Sequence, residues 1–143
     1  MKRYKTGYTQ GVFDMFHIGH LNLLNNAKKQ CEYLIVGVNS DDLVREYKSK
    51  VTVIGETERC FIIQNIKAVD KGVIVNTLDK RHLWDKFHFD AVFIGDDWKG
   101  NKRWMETERK LQEVGAEVVY LPHTENISST LLRIERENVV SEE

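Results

Sequence analysis

The alternation of apolar runs with amphipathic stretches predicts a single three-layer α/β domain built on a mostly parallel sheet. Three observations carry this. Short, near-continuous apolar runs such as Tyr-Leu-Ile-Val-Gly-Val over Tyr33–Val38 suit strands buried on both faces. Between such runs, apolar residues recur at helical spacing. The chain has 143 residues, 41% of them hydrophobic and 30% charged, which is enough to bury one core and too few for a second domain.

The elements follow in order. Tyr8–Phe13 is a β-prone run, and Ile18, Leu21, Leu24, Ala27 and Cys31 then repeat at helical spacing. Tyr33–Val38 is the second strand. Ser40 offers an N-cap, with Asp41 and Asp42 in the first turn of a helix reaching about Tyr47. Lys48–Gly55 reads as a loop. Ile62, Ile63 and Ile66 form the apolar stripe of a helix from about Glu56 to Lys67. Gly72–Val75 is the third strand, and Asp79 caps a helix to about Phe87. Asp90–Ile94 is the fourth strand. Lys102–Val114 is helical, with Trp104, Leu111 and Val114 inward and Glu106/Lys110 and Arg109/Glu113 as i,i+4 pairs. Glu117–Leu121 is the fifth strand, ended by Pro122, and Ser128–Glu137 is a last helix before a frayed tail. Such strand–helix–strand crossovers are right-handed.

Composition narrows the function. Twenty-one Lys and Arg against 22 Asp and Glu leave a net charge of −1, so the basic excess of a generic nucleic-acid binder is missing. No apolar run approaches the ~20 residues that span a bilayer, and no apolar stretch follows the basic N-terminus as in a secretory signal. A cytoplasmic protein without nucleic-acid partner or membrane insertion is expected. Cys31 and Cys60 lie far apart and inside apolar patterns, which predicts buried free thiols.

In open parallel sheets, ligands collect beyond the carboxyl ends of the strands. There the sequence turns polar and glycine-bearing: Gly11-Val12-Phe13-Asp14 and His17-Ile18-Gly19-His20 after the first strand, Gly95-Asp96-Asp97-Trp98 after the fourth, His123–Ser129 after the fifth. His17 and His20 stand three apart at a helix start and share one face. Gly19 lets a ligand approach the backbone, and the helix N-terminus supplies free N–H groups with a partial positive charge of ~0.5. Together these features fit phosphate. A metal site of Asp14, His17 and His20 is the competing reading; it lacks a further ligand at convincing spacing.

These residues carry a resemblance. Gly11-Val12-Phe13-Asp14 with His17-Ile18-Gly19-His20 resembles the Gly-(Thr/Cys/Val)-Phe-Asp plus HxGH signature of nucleotidyltransferases. Gly95-Asp96-Asp97-Trp98-Lys99-Gly100 resembles the corresponding loop of bacterial glycerol-3-phosphate cytidylyltransferases. His123–Thr130 is similar to the family's Arg-Thr-Glu-Gly-Ile-Ser-Thr segment, and Glu58-Arg59 and Val69-Asp70 fall on two further family pairs. The likeness spans residues 8–137 and implies a Rossmann-like domain.

It also implies cytidylyl transfer, in which a phosphate oxygen of a phospho-alcohol attacks the α-phosphorus of CTP and pyrophosphate leaves. His17, His20 and Lys50 would be catalytic. Gly11, Val12, Phe13, Asp14, Gly19, Lys50, Arg59, Gly95, Asp96, Asp97 and Trp98 would line the nucleotide. His123, Thr124, Asn126, Ile127, Ser128, Ser129 and Thr130 would wrap it. Lys48 and Arg81 would meet the acceptor, Mg²⁺ would arrive on the triphosphate with no protein ligand assigned, and a homodimer is implied. Glycerol 3-phosphate is the leading acceptor, with phosphocholine or phosphoethanolamine as alternatives; adenylyl transfer is less favoured by the Asp96-Asp97-Trp98 loop. A sensor that binds CTP without turnover is the rival class, motivated by His123 and Lys67 where the family has arginine, a fork that neither replaces. A tRNA-synthetase fragment shares the literal HxGH but lacks its KMSKS-like partner.

Overall fold

Extended backbone begins earlier than the apolar pattern suggests. In the computed structural model, which describes residues 2–122, β1 (Tyr4–Gly11) opens at Tyr4 rather than Tyr8. Exposed Lys5 interrupts the apolar pattern, yet Tyr4 pairs with Cys31 and buries its ring edge-on to Phe93. The strand stops at Gly11, not Phe13, because Phe13 (φ 54) and Met15 (φ 48) turn the chain through the left-handed region.

Helix α1 (Ile18–Gln30) buries Leu24 and Ala27 completely, while Ile18 remains 52% exposed on the first turn. Cys31, assigned by spacing to this helix, instead starts β2 (Cys31–Asn39) with extended φ of −135. The Ser40 hydroxyl caps α2 (Asp41–Lys48), accepting from Leu43 N at 3.1 Å, as expected. Helix α3 (Glu56–Gln64) ends before Lys67, where Ile66 N–H donates to Ile63 O and Val69 N–H to Ile66 O in tighter turns. Of its isoleucines, Ile63 is fully buried and Ile62 is 37% exposed, so the stripe is narrower than expected.

Beyond β3 (Lys71–Val75), Asp79 caps α4 (Lys80–Phe87) by accepting from His82 N at 3.1 Å. Strand β4 (Ala91–Gly95) leads into a 3₁₀ turn over Asp96–Trp98 and then α5 (Lys102–Gln112), started by the Asn101 side chain. Helix α5 stops two residues short of Val114, which is half-buried, while Trp104 and Leu111 are inward as expected. On its wet face Glu106 pairs with Arg109 rather than Lys110, because i,i+3 brings the arginine fork onto that carboxylate. Arg109 also reaches Glu113 at 3.7 Å. Strand β5 (Glu117–Leu121) follows; the helix expected over Ser128–Glu137 and its tail lie outside the described residues.

Among the described residues the sheet has five strands, all parallel, in the order β3-β2-β1-β4-β5. Helices α1 and α3 cover one face, packing Leu24, Ala27, Cys60 and Ile63 on Leu34, Val36 and Phe93. Helices α4 and α5 cover the other, with Leu83, Trp104 and Leu111 on Tyr8, Ile35 and Val92. Cys31 and Cys60 are buried free thiols, and burial pushes both thiols up. No helix among the described residues is long and apolar enough to cross a membrane.

Strand order reverses between β1 and β4, the place where open sheets bind ligands. The two pair only at Gly7↔Ala91 and Tyr8↔Val92; beyond that point the Thr9 hydroxyl donates to Phe93 O at 2.8 Å. The ladder therefore ends below the carboxyl edge, and the β1 and β4 ends flank one crevice.

Candidate active site

The turn after β1 is held in an unfavourable conformation. Left-handed backbone at Phe13 and Met15 costs about 1–3 kcal/mol each, because neither residue is glycine. Burial of Val12 and Phe13 offsets it, with the Phe13 ring edge-on to the His20 imidazole at 5.5 Å. Asp14 adds a second fastening. Its carboxylate is nearly buried and accepts from Val53 N at 2.7 Å and Ile54 N at 2.9 Å. The residue expected to line the nucleotide thus also ties the turn to the loop before α3.

The two histidines cap α1 reciprocally. His17 Nδ1 accepts from Gly19 N, and His20 Nδ1 accepts from His17 N, each at 3.1 Å. This is a capping box in which imidazoles take the places of the usual hydroxyl and carboxylate. Its chemical consequence is a fixed tautomer. An Nδ1 that accepts a hydrogen bond carries a lone pair, so the neutral ring bears its proton on Nε2. Nε2 is then the donor atom of each ring, on a His17 that is half-buried and a His20 that is only 4% exposed. The rings stack with centroids 3.9 Å apart, and Phe16 lies 5.3 Å from His20. No acidic side chain occupies the first turn of α1, so the partial positive charge of that terminus is left for a ligand. A ring with a protonated Nε2 is a hydrogen-bond donor, the role a phosphate oxygen calls for. Among the described residues no group of three or more His, Cys, Asp and Glu is arranged to hold a metal ion.

Across the crevice, β4 delivers Gly95 and the Asp96–Trp98 turn. A Cβ at Gly95 would lie 2.6 Å from Asp97 Oδ1, so glycine is what lets that carboxylate fold back over the strand end. The Arg103 guanidinium sits 5.7 Å from the Trp98 ring. Below the crevice runs a buried polar chain: Tyr8 OH donates to Gln10 Oε1, Gln10 Nε2 to Asn39 Oδ1 and Thr77 O, and Asn39 Nδ2 to Tyr47 OH, all within 3.0 Å. Gly37 makes room for it, since a Cβ there would lie 2.2 Å from the Tyr8 hydroxyl.

Arg59, expected at the nucleotide, is 1% exposed and commits its guanidinium to protein acceptors. It donates to Ile54 O, Val12 O, Asn39 O and Asp41 Oδ1 at 2.6–2.9 Å, joining the β1 and β2 ends to the loop. Lys48 ends α2, its Nζ 5.5 Å from the Tyr47 ring, and Lys50 stands exposed in the following loop. Arg81 pairs with Asp85 at 2.7 Å one turn along α4. Its neighbour Lys80, not assigned from the sequence, is the cation turned inward: it is 3% exposed, donates to Leu78 O at 2.9 Å and lies 5.0 Å from the Trp104 ring. Lys80, Arg81, Arg103, Trp104, Thr107 and Lys110 line a cavity of about 270 Å³ between α4 and α5. Position directly after the Asp79 cap was the available signal for Lys80. His123, Thr124, Asn126, Ile127, Ser128, Ser129 and Thr130 lie outside the described residues.

A family described as cytidylyltransferase-like matches residues 8–135. The glycerol-3-phosphate cytidylyltransferase of Bacillus spizizenii is 36% identical over 127 residues, covering 87% of this chain and 92% of that protein. An FAD synthase of Korarchaeum cryptofilum is 31% identical over 123 residues, 84% of this chain and 83% of that one. Among solved structures, a lipopolysaccharide core biosynthesis protein from Thermoplasma volcanium superposes with a TM-score of 0.75 at 25% identity, over 85% of this chain and 99% of that one. Matched over nearly its whole described length, with paired histidines capping the helix beside the sheet's reversal point, the chain belongs to the cytidylyltransferase-like family of nucleotidyltransferases.

Proposed function

We propose that the protein transfers CMP from CTP to glycerol 3-phosphate, giving CDP-glycerol and pyrophosphate. The observation that supports this is the reciprocal histidine cap at the α1 N-terminus, in which both Nδ1 atoms accept from backbone N–H groups and Nε2 is left as the donor atom of each ring, half-buried at His17 and nearly buried at His20. The acceptor is supported by the likeness to glycerol-3-phosphate cytidylyltransferases over most of both chains. A phosphate oxygen of the acceptor attacks the α-phosphorus in line, and the bond to pyrophosphate breaks. No covalent enzyme intermediate is needed; the protein positions the reactants and stabilises charge on the phosphoryl oxygens. His17 and His20 donate to the triphosphate, Lys50 adds charge there, and Lys48 faces the acceptor phosphate. Arg81 meets the acceptor phosphate, with Lys80 beside it in the lining of the same cavity. Magnesium enters with CTP as part of the substrate, since Nε2–H groups suit phosphate and Asp14 is held by two backbone N–H groups. The working form is a cytoplasmic homodimer.

Adenylyl transfer is the second reading, favoured by the likeness to an FAD synthase. Incubation with Mg²⁺, each of four nucleoside triphosphates and a panel of phospho-alcohols, followed by phosphorus NMR, separates the two. Pyrophosphate with CTP and glycerol 3-phosphate is the expected result. Turnover with ATP but not CTP would overturn the base assignment, and CTP binding without turnover on any acceptor would favour a sensor.

A further inference from the structure

The loop between α2 and α3 carries Lys50 and buries little apolar surface: Val51 is 72% exposed and Val53 58%, while Ile54 is half-buried. A segment with so little buried surface opens readily unless polar contacts restrain it. Those contacts converge on Asp41, the first residue of α2. Its Oδ1 accepts from the Thr52 hydroxyl at 2.9 Å and from Arg59 Nη2 at 2.6 Å. Its Oδ2 accepts from Glu56 N, the first residue of α3, at 3.2 Å, while Asp41 N donates back to Glu56 Oε1 at 2.8 Å. Each helix thus caps the other with an acidic side chain, where its terminal charge favours one. Arg59, oriented by Asp41, holds Ile54 O with its Nε and reaches Val12 O with Nη1, and Asp14 holds Val53 N and Ile54 N from the other side. The loop is therefore fastened to the turn that leads directly into His17.

We infer that Asp41 is a positioning residue for the transfer reaction: by interlocking the starts of α2 and α3 and orienting Arg59, it holds the 49–55 loop where Lys50 meets the triphosphate. The inference rests on the function proposed above. Arg59 depends on Asp41 for its only carboxylate partner among the described residues, and a buried guanidinium deprived of its anion relaxes toward other acceptors. The loop then loses two anchors together.

Asp41→Asn and Thr52→Val test this in the full chain. Amide exchange at Val53 and Ile54 should quicken at least about tenfold in Asp41→Asn relative to the sheet amides, as expected when a charged hydrogen-bond acceptor is removed. The kcat should fall by about 10²-fold, the scale of a misplaced group, with a smaller fall in Thr52→Val. In a Lys50→Ala background, adding Asp41→Asn should cost less than about threefold, because the two substitutions remove one effect. A merely structural Asp41 would instead give additive losses in that cycle, and unchanged exchange in the loop would equally overturn the inference. If Asp41→Asn fails to fold, Thr52→Val decides: wild-type exchange and kcat there would refute the clamp. Absence of turnover in the wild type refutes the function and leaves the exchange measurement to decide the clamp by itself.

Discussion

Replacing His17 by asparagine and by alanine separates two jobs that the imidazole performs together. As N-cap, its Nδ1 satisfies the Gly19 amide. As donor, its Nε2–H is free of that cap. Asparagine is among the best N-caps, whereas alanine leaves the amide unsatisfied and costs about 1 kcal/mol. For a chain of 143 residues that corresponds to a Tm lowered by about 3 °C. Neither substitute offers a donor at the Nε2 position, so both should lose about 10²–10³ in kcat, the usual effect of removing one transition-state donor. The expected pattern is therefore equal kinetic damage with unequal thermal damage: His17→Asn within about 1 °C of the wild type, His17→Ala about 3 °C below it. Calorimetry and a pyrophosphate-release assay on the same preparations read both. An undiminished kcat in His17→Asn would remove the imidazole from the chemistry. Equal loss of Tm in both variants would show that the cap contributes nothing to stability.

Acid should destabilise the fold through two carboxylates. Burial pushes the Asp41 carboxyl up, but Arg59, Glu56 N–H and Thr52 together hold it below its usual range; at Asp70 burial is likewise outweighed by Lys28 and Leu34 N–H. A depressed folded-state pKa adds stability that is complete above the unfolded value near 4 and is lost as pH falls through the folded value. Urea unfolding from pH 6 downward should show that loss, and Asp70→Asn should flatten it; an identical acid limb in the variant would refute the assignment. Trp104 tests a different balance, because its ring is 2% exposed while its Nε1 has no hydrogen-bond partner among the described residues. Trp104→Phe should cost less than about 1.5 kcal/mol and Trp104→Ala about 3–5 kcal/mol, measured by denaturant titration. A large loss in Trp104→Phe would mean that the indole N–H is satisfied after all.

Much of this arrangement is legible in the sequence. Ser40 and Asp79 announce helix starts because a short acceptor ahead of an amphipathic stretch has one good use, and both do cap. Boundaries were harder where one class of residue serves two elements: Cys31 continues the helical spacing yet starts β2, and Tyr4 hides behind an exposed lysine. At the site, the residue types and their strand-end positions pointed to phosphate. The hydrogen-bond partners of those residues are not legible in the sequence. Asp14 reaches Val53 and Ile54, and Arg59 reaches Val12, across some 40 residues of sequence or more, and no local pattern encodes such partners.

By itself the sequence determined the α/β class, the order of its elements and the pairing of two histidines at a helix start, because periodicity and capping are local consequences of backbone geometry. Tertiary structure alone decided that β1 lies beside β4, that both histidine Nδ1 atoms face backbone amides, and that Lys80 rather than Arg81 turns inward. Each of these depends on which groups compete for the same acceptor or the same buried volume once distant segments meet, and that competition exists only in the folded chain.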